Sequence, residues 1–426
     1  MFPYILKSVL LIMCLSVFSC KHKNPVSSID QTKKPRPIGI PVAHAIIKTL
    51  GNRGGTIVSE DGKLEVEIPA GALTKDIAIS IQPIQNTAAG GVGFGYRLLP
   101  HGDIFKKRVS LHFHYENELQ RLSNKEAITI AFQNEKGIWS CVGHSENDTL
   151  SNTISVQTEH FSDWAIIPSL ELSPVVQTIG VGESITLKAQ KYVFPVGEDL
   201  IVQLGTANSA NGGVPEKIDP KYIVRWTLYG PGNLSQNGAE AIYTAPSSMQ
   251  AEKKATVVCE LKVKNMPVLL ISTIYLINEG ITLSVDGSEW KTYPAMAISM
   301  PALNQYHLGS LRTSPDVPEI VFQWPMITGK KSNGIYDWNM LGEEENHVAF
   351  EFAEETLQQM YVSAYDDGMG NHDSPGFLSV EEKEKSGKKF ITGVFILDKA
   401  ALVDNNTGSQ KKISRITGTF KVQRNW

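Results

Sequence analysis

Cysteine is scarce in this chain, with four residues in 426. A disulfide-held scaffold needs cysteines that pair within one domain. Cys14 falls in the N-terminal leader, and Cys141 and Cys259 fall in different predicted domains, so neither of these two has an evident partner. Free cysteine is usually buried. We therefore expect Cys141 and Cys259 to be small buried apolar residues rather than reactive thiols. Cys259 supports this expectation because it shares a strand face with Val257 and Leu261.

Excess charge and helical patterning are also missing. The formal net charge is only −4, which provides no electrostatic argument for binding nucleic acid. No long stretch repeats apolar residues at helical spacing, whereas alternating strand patterns recur throughout. With 42% apolar residues, the chain can build a core in each of roughly three domains. The sequence predicts an all-β, multi-domain protein.

No apolar run is long enough to cross a bilayer, which takes about 20 residues. The longest near the N-terminus, Val9 to Phe18, has ten residues and follows Lys7. That length and the preceding positive charge are typical of the central region of a signal peptide. We therefore predict a signal peptide over residues 1–19.

The leader ends in Val17-Phe18-Ser19-Cys20, which resembles the lipobox of bacterial lipoproteins. The resemblance implies cleavage before Cys20 and acylation of Cys20, for example with palmitate, so that a lipid bilayer is a partner. Lys21 at the next position implies the outer membrane, on either its periplasmic or its surface side. The alternative is an ordinary secretory signal with Cys20 left free. Residues 20–43, basic and proline-containing, are predicted to be a flexible tether.

Residues 44–168 are predicted to form a first β-sandwich. Leu64, Val66 and Ile68 alternate with Glu65 and Glu67, so the apolar side chains share one strand face. Further short strand patterns follow at regular spacing up to residue 167, which is typical of a sandwich.

Three segments of this first domain resemble the ZU-five domain, a β-sandwich of zonula occludens proteins, netrin receptors, ankyrins and bacterial surface proteins. They are Gly54 to Val58, Leu64 to Leu73 with its "IPAGAL" sequence, and Pro100 to Leu111 with its "PHGDIFKKRVSL" sequence. The resemblance covers about 125 residues, which is the size of one typical domain. It implies an interaction module rather than an enzyme.

The triplet His160-Phe161-Ser162 resembles the site at which some ZU-five-containing proteins cut themselves. In that chemistry the Ser162 hydroxyl attacks the Phe161 carbonyl, His160 accepts the proton, and the resulting ester hydrolyses. The alternative interpretation is a terminal strand in which Phe161 and Trp164 fill the core. A three-residue motif does not decide between the two.

Residues 169–279 are predicted to form a second sandwich. The strand with Tyr222, Val224, Trp226 and Leu228 facing inward and the later "YTAP" element resemble a bacterial immunoglobulin-like domain. The resemblance implies an intersheet disulfide, but the strand at 181–189 has no cysteine, and Leu187 is a plausible apolar replacement. Residues 203–217, rich in Gly, Asn, Ser and Ala, are predicted to be a surface loop.

Residues 280–426 are predicted to form a third β-rich domain, either an antiparallel barrel or a sandwich. A short helix is predicted from Glu354 to Met360. Two "ITG-x-F" strands, at 391–395 and 416–420, resemble the end of an uncharacterised family of small β-rich lipoprotein domains, a likeness that implies no activity. Tryptophans 290, 324 and 338 are expected to be core residues, the alternative being a platform that stacks on sugars.

Candidate metal ligands occur in two places. Asp366, Asp367 and Asp373 lie in a glycine-rich stretch that could bind Ca²⁺, although their spacing is not that of an EF-hand and an acidic surface turn is the alternative. His112 and His114 could form half of a metal site, or simply a solvated strand face. We expect no cofactor.

Taken together, these patterns predict a non-enzymatic binding or scaffold lipoprotein of the cell envelope whose other partner is an unknown protein or glycan. The first alternative is a surface protein that cleaves itself between Phe161 and Ser162. The second is an envelope glycan-binding or glycan-processing protein, for which no paired-carboxylate or Ser-His-Asp pattern stands out.

Overall fold

A computed structural model describes residues 35–102, 104–142, 144–194, 211–263, 266–314, 317–326, 331–342, 347–353, 358–385 and 387–426. The described residues belong to one compact unit. The regular elements of the described residues are β-strands and three short 3₁₀ helices, so the protein is all-β. The prediction of an all-β, multi-domain fold is confirmed.

The first lobe is a sandwich of two sheets. Its order is β1-β4-β5-β11-β7-β8 in one sheet and β2-β3-β6-β10-β9 in the other. Leu64, Val66 and Ile68 are buried as the alternation predicts, and they pack with Trp164 from the facing sheet. The strands are Ile46–Leu50 (β1), Gly55–Val58 (β2), Leu64–Ile68 (β3), Ile77–Ile84 (β4), Val92–Leu99 (β5), Ile104–His114 (β6), Ile128–Gln133 (β7), Trp139–Cys141 (β8), Glu146–Asp148 (β9), Thr153–His160 (β10) and Asp163–Pro168 (β11), with a 3₁₀ helix at Glu116–Arg121.

Residues 36–42, which we call the strap, lie against this sandwich. The Arg36 N–H donates to the Gly137 carbonyl at 2.8 Å, and the Gln85 N–H donates to the Ile40 carbonyl at 2.8 Å. Pro41 forms a β-bridge with Ile84. The predicted tether at 20–43 is therefore wrong in its last part, because these backbone groups are hydrogen-bonded to the first lobe. Residues 20–34 of that prediction lie outside the described residues.

The second lobe is also a sandwich. One sheet contains β15-β14-β18-β17, with β12 beside β14, and the facing sheet contains β13-β20-β19-β16. The strands are Leu170–Ser173 (β12), Val176–Ile179 (β13), Ser184–Phe194 (β14), Asn211–Lys217 (β15), Ile223–Tyr229 (β16), Asn233–Asn237 (β17), Glu240–Thr244 (β18), Lys254–Val263 (β19) and Met266–Leu276 (β20), with a 3₁₀ helix at Pro220–Tyr222.

Two predictions for this lobe need correction. Val224 is half-exposed rather than inward, because an irregularity in the pairing between Ile223 and Arg225 breaks the alternation. Residues 211–217 of the predicted loop form strand β15 instead, which pairs with β14 and extends the sheet. The rest of that predicted loop, up to residue 210, lies outside the described residues.

The third lobe closes on itself. Pairing runs β33-β23-β24-β25-β27-β28-β32 and returns to β33, with β21-β22 and β31-β26 attached to the two longest strands. The circuit is antiparallel except between β23 and β33. Of the two predicted architectures, this closed circuit is a barrel. The strands are Gly280–Val285 (β21), Lys291–Tyr293 (β22), Ala295–Met300 (β23), Gln305–Ser310 (β24), Glu319–Pro325 (β25), Gly334–Tyr336 (β26), Ala349–Ala353 (β27), Gln359–Val362 (β28), Ala364–Asp366 (β29), Asn371–Asp373 (β30), Gly376–Lys385 (β31), Lys388–Asp404 (β32) and Gln410–Arg424 (β33), with a 3₁₀ helix at Pro301–Leu303.

The predicted helix at 354–360 is not found where the chain is described. Gln359 and Met360 belong to β28, which pairs with β27 and β32 and so needs an extended backbone. Residues 354–357 lie outside the described residues.

Packing between the two "ITG-x-F" strands explains why each contains both a glycine and a phenylalanine. Gly393 lies opposite Phe420, and Phe395 lies opposite Gly418. Each phenylalanine ring fills the space that a side chain on the opposite glycine would occupy. The two motifs therefore form one reciprocal contact in the barrel core.

The three lobes are joined by backbone and side-chain contacts. β15 of the second lobe pairs with β8 of the first at Asn211 and Ser140, so one sheet runs through both lobes. Tyr275 of the second lobe packs in one cluster with Phe377 of the third. A cluster of charges, described below, links the first lobe to the third.

Candidate functional site

The triplet His160-Phe161-Ser162 connects the end of β10 to the start of β11. Phe161 is buried, and its ring meets the Phe105 ring edge to face at 4.8 Å. The Phe161 carbonyl accepts a hydrogen bond from the Gly102 N–H at 3.3 Å. The Ser162 carbonyl accepts one from the Leu98 N–H at 3.0 Å. Phe161 therefore packs in the core, as expected for a strand in which Phe161 and Trp164 fill the core.

The Ser162 hydroxyl is not aimed at His160 in this structure. It donates to the backbone carbonyl of Gln133, while Nδ1 of His160 lies 3.3 Å from Oγ1 of Thr158. The imidazole packs between aromatic rings, with the Trp164 ring centroid 5.5 Å away. Burial lowers the pKa of His160, which favours the neutral ring and makes it a weaker proton acceptor than a solvated imidazole. Self-cleavage stays a prediction, and it would require the Ser162 side chain to turn.

Asp163 follows the triplet and is almost completely buried. Arg97 binds it through two contacts, Nε to Oδ1 at 3.0 Å and Nη2 to Oδ2 at 2.8 Å. His101 adds a third contact, Nε2 to Oδ1 at 3.2 Å. Two parallel hydrogen bonds from arginine are the strongest arrangement for a carboxylate. Sequence analysis missed this pair because Arg97 and Asp163 are adjacent only across β5 and β11.

An open pocket of about 440 Å³ lies between the segment Ala72 to Ile77 and the residues Pro100, Phe105 and Lys106. Its apolar wall includes Leu73, Ile77 and Phe105, and Lys75 and Lys106 line it as well.

Four charged side chains form a second site, between the first and third lobes. Nζ of Lys63 lies 3.1 Å from Oε1 of Glu118 and 2.8 Å from Oδ2 of Asp337. Arg121 contacts the same two carboxylates and stacks on the Phe377 ring at 5.1 Å. Two positive and two negative charges balance each other. We call these four residues the ion cluster.

The pKa values in the ion cluster reflect mutual stabilisation. Burial alone would raise the pKa of Asp337, but the charges of Arg121 and Lys63 and their hydrogen bonds outweigh it and hold this pKa well below its usual range. Burial likewise opposes charge on Lys63, yet Asp337 and Glu118 raise its pKa above the ordinary value. Asp337 is therefore held as a carboxylate, and Lys63 and Arg121 as cations, at neutral pH, which makes the cluster a structural lock between lobes.

The aspartates proposed to bind Ca²⁺ do not converge. Oδ1 of Asp367 accepts the Met369 N–H at 2.8 Å, and backbone hydrogen bonds lower the pKa of Asp367. Oδ1 of Asp366 accepts the Gly368 N–H, whereas Oδ1 of Asp373 accepts the Leu341 N–H from another part of the chain. Within the described ranges, no three His, Cys, Asp or Glu side chains form a group that could hold a metal ion. The hypothesis of a Ca²⁺ site thus loses its geometric basis.

The remaining candidates serve local structure. His112 and His114 bond across the strand pair to hydroxyls, Nδ1 of His112 lying 2.8 Å from Oγ of Ser155 and Nδ1 of His114 lying 3.0 Å from Oγ1 of Thr153. Trp324 and Trp338 are buried, as predicted, and Trp290 is partly buried.

Both cysteines proposed to be buried are buried and free, and desolvation raises the pKa of each thiol to about 12. Cys259 lies in the core with Leu187, as expected for an apolar pair in place of a disulfide. The lipidation candidate Cys20 and the signal peptide lie outside the described residues. Among the described residues, no helix has the length and apolar character needed to span a bilayer.

Comparison with known proteins identifies no family. No family profile matches the chain, and no curated protein is similar in sequence. One solved structure with a loose likeness comprises three N-terminal domains of the bacteriophage RB49 Highly Immunogenic Outer Capsid protein (Hoc), at 12% identity over 82% of this chain and 98% of that chain, with a TM-score of 0.15. Another comprises the N-terminal four Ig domains of Dscam1 isoform 4.4, at 10% identity over 90% of this chain and 91% of that chain, with a TM-score of 0.13. Scores this low support no inference about fold or function.

Proposed function

We propose that this protein is a membrane-anchored lipoprotein of the cell envelope that acts as a non-enzymatic scaffold or binding protein. The observation that supports the proposal is that the three lobes are joined to one another. One sheet runs from the first lobe into the second, and the ion cluster joins the first lobe to the third. A body held in this way presents its loops to a partner with little loss of conformational entropy on binding.

The predicted anchor would keep this body close to the bilayer. Acylated Cys20 is 16 residues before Arg36 (36 − 20 = 16), the first residue of the strap. A fully extended chain of that length reaches at most about 55 Å. The point at which the chain joins the first lobe would therefore lie within about 55 Å of the membrane, which suits an envelope scaffold.

The test compares wild type with Cys20→Ala after expression in a bacterial host. We expect wild type to enter the detergent phase on partitioning and its intact mass to match a chain beginning at Cys20 with acyl chains attached. Cys20→Ala should remain in the aqueous phase. Aqueous wild-type protein without added mass would refute the anchor. Small-angle scattering that requires independently moving lobes would refute the rigid scaffold.

Self-cleavage is the second candidate, and one observation favours it. The Gly102 N–H points at the Phe161 carbonyl oxygen, where negative charge would develop during attack. The Ser162 hydroxyl would add to the Phe161 carbonyl carbon and give its proton to His160. His160 would then pass this proton to the Ser162 nitrogen as the C–N bond breaks, which leaves an ester and a free Ser162 amine. Water would hydrolyse the ester, leaving a Phe161 carboxylate and restoring the hydroxyl.

Intact mass on a denatured sample tests this candidate directly. Self-cleavage predicts a fragment that begins at Ser162, and Ser162→Ala should abolish it. Thr153→Ala is the matched control, because it removes a hydroxyl of the same strand that contacts His114 rather than His160. A single intact mass for wild type after long incubation would eliminate self-cleavage.

A further inference from the structure

The same two residues, Gln133 and Arg97, contact both the strap and the Phe161-Ser162-Asp163 segment. The first is Gln133, which is nearly inaccessible to solvent. Its Nε2 donates to the carbonyls of Arg36 and Pro37 at 3.1 and 3.2 Å, and its backbone carbonyl accepts the Ser162 hydroxyl. Gln133 therefore touches the strap with one end and the triplet with the other.

Arg97 makes the second connection. Its Nη2 donates both to the Gly39 carbonyl of the strap at 3.0 Å and to Oδ2 of Asp163 at 2.8 Å. The Asp163 contact raises the pKa of Arg97, so the guanidinium stays charged at any ordinary pH. A planar guanidinium that bonds two groups has its orientation set by both.

Removing the strap would leave these shared groups without partners. Nε2 of Gln133 would lose two of its three carbonyl acceptors, the third being Gly137. Nη2 of Arg97 would lose its Gly39 acceptor and keep only Asp163. Buried donors that lose acceptors either admit water or move to new partners. Either response reaches Ser162 and Asp163, because the same residues hold them.

We propose that the strap is a latch, which keeps the Phe161-Ser162-Asp163 segment closed and transmits displacement of the N-terminal chain to it. The strap is the point at which the chain from the N-terminus joins the sandwich, so a pull on that chain, or a partner that captures it, acts first on Arg36 and Gly39. This coupling depends neither on the lipid anchor nor on self-cleavage.

The structure offers a substitution that displaces the strap and leaves the triplet untouched. A methyl group at Gly39 would collide with the Gln85 carbonyl and with the Ile84 side chain. Gly39→Ala should therefore force the strap off the sheet. Ile40→Ala is the matched control, since the Ile40 side chain is about half exposed and its loss creates no collision.

Hydrogen–deuterium exchange on the full chain measures how well the amides of the strap and those bonded to the triplet are protected. The Arg36 and Val42 amides report on the strap, while the Leu98 and Gly102 amides donate to the Ser162 and Phe161 carbonyls and report on the triplet. In Gly39→Ala we expect exchange to rise at all four amides, by about tenfold or more at Leu98 and Gly102. Ile40→Ala should resemble wild type.

A second variant replaces residues 36–42 with a Gly/Ser sequence of equal length, which removes the strap even if Gly39→Ala is accommodated. Faster exchange at Leu98 and Gly102 supports the latch. Unchanged exchange at these two amides, with a released strap in either variant, overturns it.

Discussion

Nζ of Lys63 lies 2.8 Å from Oδ2 of Asp337, although 274 positions separate the two residues in the chain. Lys63 immediately precedes β3, and Asp337 follows β26 in the third lobe. The contact brings the third lobe back onto the first. The third lobe therefore contacts both of the other lobes.

The ion cluster should be a major stabilising element. Asp337→Asn keeps the shape but leaves Lys63 and Arg121 with Glu118 as their only carboxylate. Breaking a buried ion pair typically costs 3–5 kcal/mol, so we expect a loss of about 3 kcal/mol or more in the free energy of unfolding, measured with urea. Glu159→Gln is the control, since its exposed pair with Arg108 should contribute less than about 1 kcal/mol. Equal effects of the two variants would contradict the lock.

Acid should weaken the contribution of the ion cluster to stability. The folded-state pKa of Asp337 lies below that of an unfolded aspartate, about 3.9, so its contribution is present above that pH and is lost as the pH falls through the depressed folded value. The stability difference between wild type and Asp337→Asn should therefore be constant between about pH 5 and 9 and shrink below about pH 4. Urea titrations at several pH values measure it, and a difference that persists undiminished at pH 2 would argue against this assignment.

Thiol reactivity should report on folding. In a Cys14→Ala/Cys20→Ala variant only Cys141 and Cys259 remain, and both are buried with pKa values raised to about 12. Because the thiolate is the reactive species, we expect almost no labelling by a disulfide reagent at pH 8 in the native state and labelling of both thiols in urea. Labelling of the native protein as fast as the unfolded one would show that the cores are not closed.

The reciprocal glycine and phenylalanine contact should tolerate no added methyl group. In Gly418→Ala the new Cβ would overlap the Phe395 ring, so the ring or the strand must move. Overpacking of this kind costs about 1–3 kcal/mol. Gly309→Ala is the matched control, because the nearest atom to its added Cβ is the Ile320 carbonyl oxygen at an ordinary 3.7 Å. Thermal unfolding that treats the two variants alike would rule out the packing explanation.

The local pattern predicted much of the first lobe correctly. Leu64 and Val66 are buried because their alternation with Glu65 and Glu67 leaves one arrangement that keeps the carboxylates near water. The same logic failed at Val224, where an irregular pairing reverses the side-chain direction. The helix predicted at 354–360 is a separate error. Met360 lies in β28 instead, where it pairs with β32.

The candidate sites were less predictable. The triplet and the acidic turn were found because each is contiguous in sequence, but their hydrogen-bond partners were not. Gln133 and Arg97, which hold Ser162 and Asp163, lie on neighbouring strands far away in the chain. The ion cluster gave no sequence signal, since isolated lysines and aspartates are mostly solvated. The lipidation of Cys20, the domain limits and the family resemblances stay predictions.

From its amino acids alone, this chain is committed to β-structure, to buried thiols at Cys141 and Cys259, and to a barrel or sandwich at its C-terminal end, because strand alternation and residue size act over a few neighbouring positions. Tertiary structure alone decided that the barrel returns to the first lobe, that the strap joins the sandwich beside Ser162, and that three aspartates do not meet. These outcomes depend on contacts between residues far apart in the chain, and the direction of a charged side chain is set only when its partner is in place.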